Sequence, residues 1–237
     1  MSPAGTVLAL HRWPVKSMGG EPVETFALTR DGVAGDRAQV LYDTHQGAAR
    51  QLTARQAPRL LAWRAGYGTW DGAHGEIPPA TLIAPDGATD SWKDPALPGA
   101  LAADLGREVE LRTNPRGRPD LPASLLVTTQ ATHVAIEAEL GRTFDQRRWR
   151  TNVHVELDAD AFAEEAWEGR VLTIGEARFD LLHPCVRCVI PTRDPDTQEK
   201  DAGLLRHLTR EHGGLFGMNA RARGPARIRV GDPVRIA

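Results

Sequence analysis

The two cysteines of the chain lie in one tetrapeptide, Cys185-Val-Arg-Cys188. In a thioredoxin-like redox pair, such a motif stands at the start of a helix, whose N-terminus favours the thiolate. Here residues 189–196 contain two prolines and disfavour a helix. A second interpretation is a pair of buried structural thiols, because free cysteine is among the most buried residue types.

Metal binding gives two further interpretations of this motif. In a zinc site, Cys185 and Cys188 would join His207 and His212, although the 18 residues between Cys188 and His207 exceed the usual spacing of about 12–15. Alternatively, one thiolate ligates a soft, redox-active metal centre, and Arg187 supplies a positive charge that favours the thiolate. The motif alone leaves these interpretations open.

Basic residues at the ends of expected strands predict a site for an anion. They occur in Lys16-Ser17, in Gly35-Asp-Arg37 and in Arg147-Arg-Trp-Arg-Thr-Asn152. Arginine presents a planar fork of donors that suits phosphate, and serine and asparagine add neutral donors. Only 3 of the 29 basic residues are lysines, which is typical of a high-GC genome and draws attention to Lys16. Any one of these clusters taken alone is also compatible with a solvated surface.

Composition and motifs exclude several classes of protein. The chain has 237 residues, of which 41% are hydrophobic and 25% charged, and its net charge of −2 does not favour nucleic acid or an anionic membrane. No apolar run would span a bilayer, and residues 1–5 lack a secretory pattern, so we expect a cytoplasmic protein. Motifs for a serine hydrolase, a P-loop, a dinucleotide fold and a metalloprotease are absent from the sequence, and pyridoxal phosphate binding is not expected.

Short apolar runs between glycine, proline and aspartate indicate that strands position these residues. We predict strands over residues 7–10, 23–28, 38–42, 60–65, 81–84, 109–112, 125–128, 153–157, 171–174, 179–182, 226–230 and 234–236. Hairpins are expected to turn at residues 175–176 and 231–232. Helices are expected over 129–140, 202–212 and, more weakly, 48–62, where Pro58 interrupts the pattern. Residues 114–122 are rich in helix and strand breakers and predict a linker between two domains.

Eight short segments, in order along nearly the whole chain, resemble the MOSC (molybdenum cofactor sulfurase C-terminal) domain family with its N-terminal β-barrel domain, in the branch of the amidoxime-reducing components. The segments are Trp13-Pro-Val-Lys-Ser17, Gly35-Asp-Arg37, Leu52-Thr-Ala-Arg-Gln-Ala-Pro-Arg-Leu60, Arg150-Thr-Asn152, Cys185-Val-Arg-Cys188, Asp194-Pro-Asp-Thr197, Leu215-Phe-Gly217 and Val230-Gly-Asp-Pro-Val234. The resemblance implies a β-rich α+β fold, in which an N-terminal β-barrel-like domain (1–112) packs against a MOSC β-barrel (113–237) and a cofactor lies between them.

The same resemblance implies a molybdopterin-type molybdenum cofactor. Cys188, the second cysteine of the family motif, would ligate the metal and thereby act in catalysis. The pterin and its phosphate would be held by Lys16, Ser17, Arg37, Arg150, Asn152 and Arg187. A rough alignment places a substrate-facing catalytic acid at Asp120. The chain departs from the family pattern at Thr151, which replaces a proline, at Gln198, which replaces a glycine, and in residues 121–124.

The activity implied by the resemblance is reduction of N-hydroxylated compounds such as amidoximes, hydroxylamines or N-hydroxylated bases. Because the sequence contains no iron–sulfur or nucleotide motif, electrons would come from a separate donor protein of the ferredoxin, flavoprotein or cytochrome type. We expect a monomer with no nucleic-acid or membrane partner. The alternatives are a carrier of molybdenum cofactor, or of sulfur as a Cys188 persulfide, and a zinc-stabilised structural domain.

Overall fold

The computed structural model describes residues 4–43, 49–72, 76–114 and 124–237. In these ranges the strands, in chain order, are β1 (Ala4–Arg12), β2 (Glu21–Val23), β3 (Thr25–Thr29), β4 (Gly32–Val33), β5 (Gln39–Asp43), β6 (Arg50–Gln51), β7 (Arg64–Gly66), β8 (Thr81–Ile83), β9 (Thr89–Ser91), β10 (Val109–Thr113), β11 (Ser124–Thr129), β12 (Val153–Leu157), β13 (Val171–Ile174), β14 (Ala177–Val186), β15 (Leu215–Ala222), β16 (Ala226–Arg229) and β17 (Pro233–Ile236). The α-helices are α1 (Leu97–Leu105), α2 (Gln130–Leu140) and α3 (Ala202–Glu211). Short 3-10 helices cover Pro58–Ala62, Gln146–Trp149, Ala163–Ala166 and Ile190–Thr192.

Seven strands form a closed barrel. Their order is β12, β11, β15, β14, β13, β17 and β1, and pairing of β1 with β12 closes the ring. Neighbouring strands are antiparallel except for β11 and β12. Apolar side chains such as Val155, Ile174 and Phe179 are fully buried in one core. Along β13 and the first part of β14, buried residues alternate with exposed or half-buried ones. The predicted β-rich α+β class with a barrel is confirmed.

A second core lies beside the barrel and is built from residues 15–111. Two three-stranded sheets surround it, one of β5, β6 and β10 and the other of β7, β8 and β9. Fully buried Val15 and Met18 belong to this core, whereas β1, just before them, belongs to the barrel. A third small sheet pairs β3 with β16 and packs on the barrel core. The predicted domain boundary at residues 112–113 falls at the end of β10 and stays a prediction.

Helices α2 and α3 begin and end where the sequence predicts. The Thr129 side chain accepts a hydrogen bond from the amide of Thr132 and so caps α2, and Gly141 ends that helix with a φ of 66°. Asp201 caps α3 by accepting from the amide of Gly203. The two helices share a small apolar cluster with buried Trp149. None of the helices in the described ranges is long and apolar enough to cross a membrane.

Three expectations about the N-terminal half are wrong. The described part of the helix predicted over 48–62 contains β6 and the 3-10 helix Pro58–Ala62 instead. Pro58 lacks an amide hydrogen and starts a new turn there, as prolines do at the first helical position. The same 3-10 helix replaces the first part of the strand predicted over 60–65. The strand predicted over 23–28 is divided at Glu24 into β2 and β3, which pair with different partners.

Of the two hairpins predicted in the C-terminal half, one is confirmed and the other is wrong. Strands β13 and β14 pair across Gly175-Glu176 as predicted. The chain also turns at Gly231-Asp232, but β16 pairs with β3 while β17 pairs with β1 and β13.

Helix α1 and strand β15 were not predicted. Both contain glycine, and α1 also has Pro98 near its start, so neither shows a continuous periodic pattern.

Buried His154 gives the fold a pH dependence. Burial, followed by the charges of His133 and His11, lowers the pKa of His154 to about 3. The unfolded chain therefore binds a proton below about pH 6.5, whereas the folded chain does not, so stability is lost as pH falls from about 6.5 toward 3. We expect this residue to remove about 1.4 kcal/mol per pH unit from the free energy of unfolding in that window.

Denaturant unfolding at pH 7 and pH 4.5 checks this expectation. In the structure, the His154 ring lies 2.9 Å from the Thr128 hydroxyl and 2.7 Å from the Gln130 side-chain oxygen. His154→Gln keeps a polar side chain there but removes the titration. The loss of stability between the two pH values should be smaller in the variant by about 2.6 kcal/mol. An equal loss in both proteins would show that His154 is not responsible.

Candidate functional site

A cavity of about 420 Å³ lies between the barrel and the loops of the second core. This volume is in the range of small-molecule sites. The residues that line it are Lys16, Ser17, Arg37, Thr53, Arg55, Leu126, Trp149, Arg150, His183, Pro184, Cys185, Val186, Arg187, Cys188, Ile190 and Asn219. Segments far apart in sequence meet here, including the loop after β1, the end of β14 and the loop before β12.

The cavity is strongly basic. Among the described residues, its lining contains five basic side chains and no aspartate or glutamate, although the chain as a whole carries a net charge of −2. The basic residues are Lys16, Arg37, Arg55, Arg150 and Arg187. A concave wall of one charge sign concentrates the field and favours a ligand of the opposite sign. The cavity therefore has the charge that the predicted anion site requires, and binding of an anion there stays a prediction.

Three lining residues have strained backbone conformations. Ser17, Arg37 and Arg150 have φ values of 70°, 52° and 53°, in the left-handed region that favours glycine. Among the described residues, only two other non-glycine residues have positive φ. Each such conformation costs about 1–3 kcal/mol and persists where surrounding contacts enforce it, commonly at ligand sites. Three of them on one cavity support its assignment as the functional site.

A buried hydrogen-bond network holds the strained segments at Arg37 and Arg150 together. Asp36 Oδ1 accepts from the Trp13 amide at 2.9 Å and from Asn152 Nδ2 at 3.0 Å. The other Asp36 oxygen pairs with the Arg37 guanidinium, which also donates to the Arg150 carbonyl at 3.2 Å. The network thus links the Trp13, Asp36 and Arg150–Asn152 segments. It fixes the direction of the Arg37 side chain.

Asn152 lies behind the cavity wall. Its side chain is fully buried; it donates to the His11 carbonyl at 3.2 Å, and its oxygen accepts from the Leu126 amide at 3.1 Å. Asn152 is not among the lining residues, so in this structure it positions other groups. Its predicted contact with a cofactor stays a prediction. The sequence pattern did not reveal Asp36 as the centre of the network.

Arg150 is held against an aromatic ring at the cavity wall. Its guanidinium lies 4.3 Å from the Trp13 ring centroid and donates to the Met18 carbonyl at 2.6 Å. The Trp13 indole in turn donates to the Thr151 carbonyl at 2.9 Å. The Thr151 hydroxyl lies 3.1 Å from the Leu126 and Val153 carbonyls, so threonine satisfies this buried position well.

Both cysteines line the cavity, are half-buried and form no disulfide. Cys185 lies in β14, and Cys188 follows it in the loop before the 3-10 helix Ile190–Thr192. Arg187 Nη1 lies 3.2 Å from the sulfur of Cys185, and its Nη2 donates to the Trp149 carbonyl at 2.6 Å. The guanidinium contact is therefore made with Cys185. Arg187 Nε is buried and has no hydrogen-bond partner among the described residues.

The structure does not support two of the interpretations of the cysteine motif. No α-helix starts directly after Cys188, as a thioredoxin-like pair would require, because the short 3-10 helix Ile190–Thr192 follows it. The proposed zinc tetrad is also not assembled, because His207 and His212 bond to the carboxylate of Glu139 and neither histidine lines the cavity.

Two models of known protein families match this chain. A family model described as the MOSC domain matches residues 117–235, and one described as the MOSC N-terminal beta barrel domain matches residues 4–79. The chain belongs to the MOSC domain family. The match to the N-terminal model agrees with the second core beside the MOSC barrel.

Curated relatives of this MOSC chain include mitochondrial amidoxime reducing component 2 of Homo sapiens. The alignment of the two extends over 280 positions with 25% identity and covers 97% of this chain and 83% of the relative. The protein of the same name from Macaca fascicularis is 26% identical over 281 residues. Among solved structures, the YuaD protein of Bacillus subtilis superposes with a TM-score of 0.53 at 13% identity, covering 100% of this chain and 98% of that one. That likeness supports the fold alone.

Further lining residues of this MOSC chain were not predicted as site residues. His183 lies two positions before Cys185 on β14, and Asn219 is its partner on β15. The pairing of β14 is irregular on both sides of His183, and four consecutive residues there line the cavity, so strand alternation gave no indication of it. Thr53 and Arg55, which belong to the segment 52–60 of the family resemblance, also line the cavity. Asp120, the predicted catalytic acid, lies outside the described residues.

Gln198, a departure from the MOSC pattern, occupies a position that glycine would suit. Its φ is 62°, in the left-handed region. Its side chain donates to the carbonyls of Leu61 and Pro195, both at 3.1 Å. The contact with Leu61 ties the C-terminal loop to the second core. We infer that this bond offsets part of the backbone strain that glycine would avoid.

Proposed function

We propose that the basic cavity binds a molybdenum cofactor, with Cys188 as the protein ligand of the metal, and that the chain reduces N-hydroxylated compounds. The observation that carries the proposal is the meeting of five basic side chains and two free thiols on one cavity of a MOSC-family chain. The names of the aligned relatives, mitochondrial amidoxime reducing components, support a reductase.

The residues present fit such a group. A thiolate is a ligand that soft metals prefer, and arginine and lysine are the usual partners of a phosphate. Buried Arg187 Nε is a donor with no acceptor among the described residues. In the proposal, Lys16, Ser17 and Arg150 hold the anionic end of the cofactor. Asp36 and Asn152 hold Arg37 in place.

The bound metal centre would supply the two-electron chemistry that breaks the N–O bond, and the protein supplies orientation and protons. Reduction of R–NH–OH to R–NH2 consumes two electrons and two protons and releases water. We propose a separate electron-donor protein as the source of the electrons, and the cytoplasm as the site of the reaction. Asp120 is retained as the proposed proton donor on the strength of the family resemblance.

Metal analysis tests the proposal. The chain is expressed in a host that makes molybdenum cofactor, and molybdenum is measured per chain. We expect a content near one. A protein that carries no molybdenum would contradict cofactor binding. A persulfide on Cys188 in such a protein would favour the sulfur-carrier alternative, for which the accessible thiols of the cavity provide the supporting observation.

Lys16 provides a sharper test of the anion contacts. Its ammonium is half-buried and donates to the Gln51 side chain at 2.6 Å. Lys16→Ala should weaken cofactor retention by about 1.5–3 kcal/mol, the range for charge-assisted hydrogen bonds. Lys16→Arg should also weaken it, because a planar fork cannot replace a compact ammonium at this site.

Exposed Lys93 lies outside the cavity and provides the matched control, Lys93→Arg. Cofactor retention is measured after extended dialysis of the loaded proteins. If Lys16→Arg retained as much cofactor as Lys93→Arg, Lys16 would have no specific role in binding.

A further inference from the structure

A second group of possible metal ligands lies away from the basic cavity. His207 Nε2 and His212 Nε2 lie 2.6 Å and 2.7 Å from the same oxygen, Oε2 of Glu139. The three ligand atoms all lie within 4.8 Å of one another. Both histidine side chains are largely buried, with exposed fractions of 15% and 14%, while Glu139 is more open at 35%. The group therefore has one side toward solvent.

The fold holds these side chains in their convergent arrangement. Glu139 lies in the last turn of α2 and His207 in α3, whereas His212 follows α3 at its C-terminal cap. The backbone of His212 leaves the helical conformation there, so the His-x4-His spacing brings both rings to one side. The His212 ring also stacks on Phe162 with centroids 4.0 Å apart. The convergence is thus fixed by packing as well as by hydrogen bonds.

We propose that Glu139, His207 and His212 form a binding site for Zn²⁺. Two imidazole nitrogens and one carboxylate oxygen are a ligand set that zinc accepts, and water completes the four-coordinate shell. The alkaline-earth ions prefer oxygen-only sites and fit this set poorly. The ion would replace the two N–H···O contacts with bonds from the same three atoms. This site differs from the predicted tetrad because it uses neither cysteine.

Bound zinc would tie α2 to α3 at their C-terminal ends. In the sequence, α3 follows the cysteine-bearing loop and the 3-10 helix Ile190–Thr192 and precedes β15, whose Asn219 lines the basic cavity. A ligand that binds only the folded state stabilises it in proportion to the logarithm of its concentration. Zinc should therefore raise the melting temperature of the chain, and a chelator should reverse the effect.

Calorimetric titration of the EDTA-treated full chain with ZnCl2 tests the proposal. We expect one site per chain, retained in the Cys185→Ser/Cys188→Ser variant and in His183→Ala. Glu139→Gln, His207→Ala and His212→Ala should each weaken binding at least about tenfold, since even an outer-shell partner is worth about 10–100-fold. Melting curves in EDTA show whether each variant is folded, and Glu139→Gln is the least disruptive of them.

Co²⁺ gives a readout of the ligand type. Bound to nitrogen and oxygen, it should show visible d–d bands without a thiolate charge-transfer band in the near ultraviolet. Either of two results would overturn the proposal. One is a thiolate band that disappears in the double cysteine variant, and the other is zinc binding that is unchanged in Glu139→Gln and His207→Ala. Because the titration uses chain without molybdenum, its failure would not affect the proposed reductase function.

Discussion

Replacing Cys188 with alanine is expected to remove nearly all molybdenum from the loaded protein, whereas Cys185→Ala should retain most of it. Loss of the protein ligand to the metal should exceed the roughly 10–100-fold effect of outer-shell changes. The two cysteines make a matched pair, because both are half-buried on the same cavity wall and form no disulfide. Molybdenum content per chain, with circular dichroism to confirm folding, is the measurement.

The contact between Arg187 and Cys185 makes this comparison informative. The guanidinium lies 3.2 Å from the sulfur of Cys185, so local charge alone would favour Cys185 as the reactive thiol. The family motif instead favours Cys188. Equal loss of metal in both variants would contradict a single-ligand site, and selective loss in Cys185→Ala would transfer the ligand role to Cys185.

Arg12→Ala is expected to cost about 3–5 kcal/mol in the free energy of unfolding, the range for breaking a buried ion pair. The Arg12 side chain is fully buried, and its Nη2 and Nε lie 2.6 Å and 2.8 Å from Glu21 Oε1. It also donates to the Trp70 carbonyl at 2.8 Å, and its guanidinium lies 4.9 Å and 5.1 Å from the centroids of the Tyr67 and Trp70 rings. Truncation would leave the Glu21 carboxylate without its main partner at the junction of the barrel and the second core.

Two further variants separate the charge effect from lost packing. Arg12→Met/Glu21→Gln keeps an apolar stem and an acceptor for the Tyr67 amide, so it should recover part of the stability lost in Arg12→Ala. Arg59→Ala removes a surface arginine whose side chain is 59% exposed, and it should cost at most about 1 kcal/mol. Denaturant unfolding of all four proteins gives the comparison. A loss in Arg12→Ala no larger than in Arg59→Ala would contradict the expected role.

Much of the barrel could be predicted from local sequence because its strands alternate apolar and polar residues. Strands β12 and β13 match their predicted bounds for this reason. Strand β15 was missed although it is central, since Gly217 interrupts its pattern. Gly217 has a φ of 78°, and a side chain there would come within 2.8 Å of the Val127 carbonyl. Its identity is set by a tertiary contact that local periodicity does not reveal.

The candidate site also contains residues whose role local sequence could predict and residues whose role it could not. Lys16, Arg37 and Arg150 stand at strand ends, where side chains of different segments converge, so their clustering was predictable. The role of Asp36, which holds Arg37, was not predictable, because its partner Asn152 lies far away in sequence. Buried Arg12 was not predictable either, because it donates to the distant Trp70 carbonyl. In a chain with 26 arginines, the type of residue at position 12 does not distinguish a buried ion pair from a surface charge.

The central claim is that this MOSC chain reduces N-hydroxylated compounds, and turnover tests it most directly. Molybdenum-loaded protein, reduced by an artificial one-electron dye, is given benzamidoxime, and benzamidine is measured over time. We predict that benzamidine forms with the loaded wild-type protein and that Cys188→Ala is inactive. Loaded protein that reduces no member of a panel of amidoximes, hydroxylamines and N-hydroxylated bases would contradict the claim.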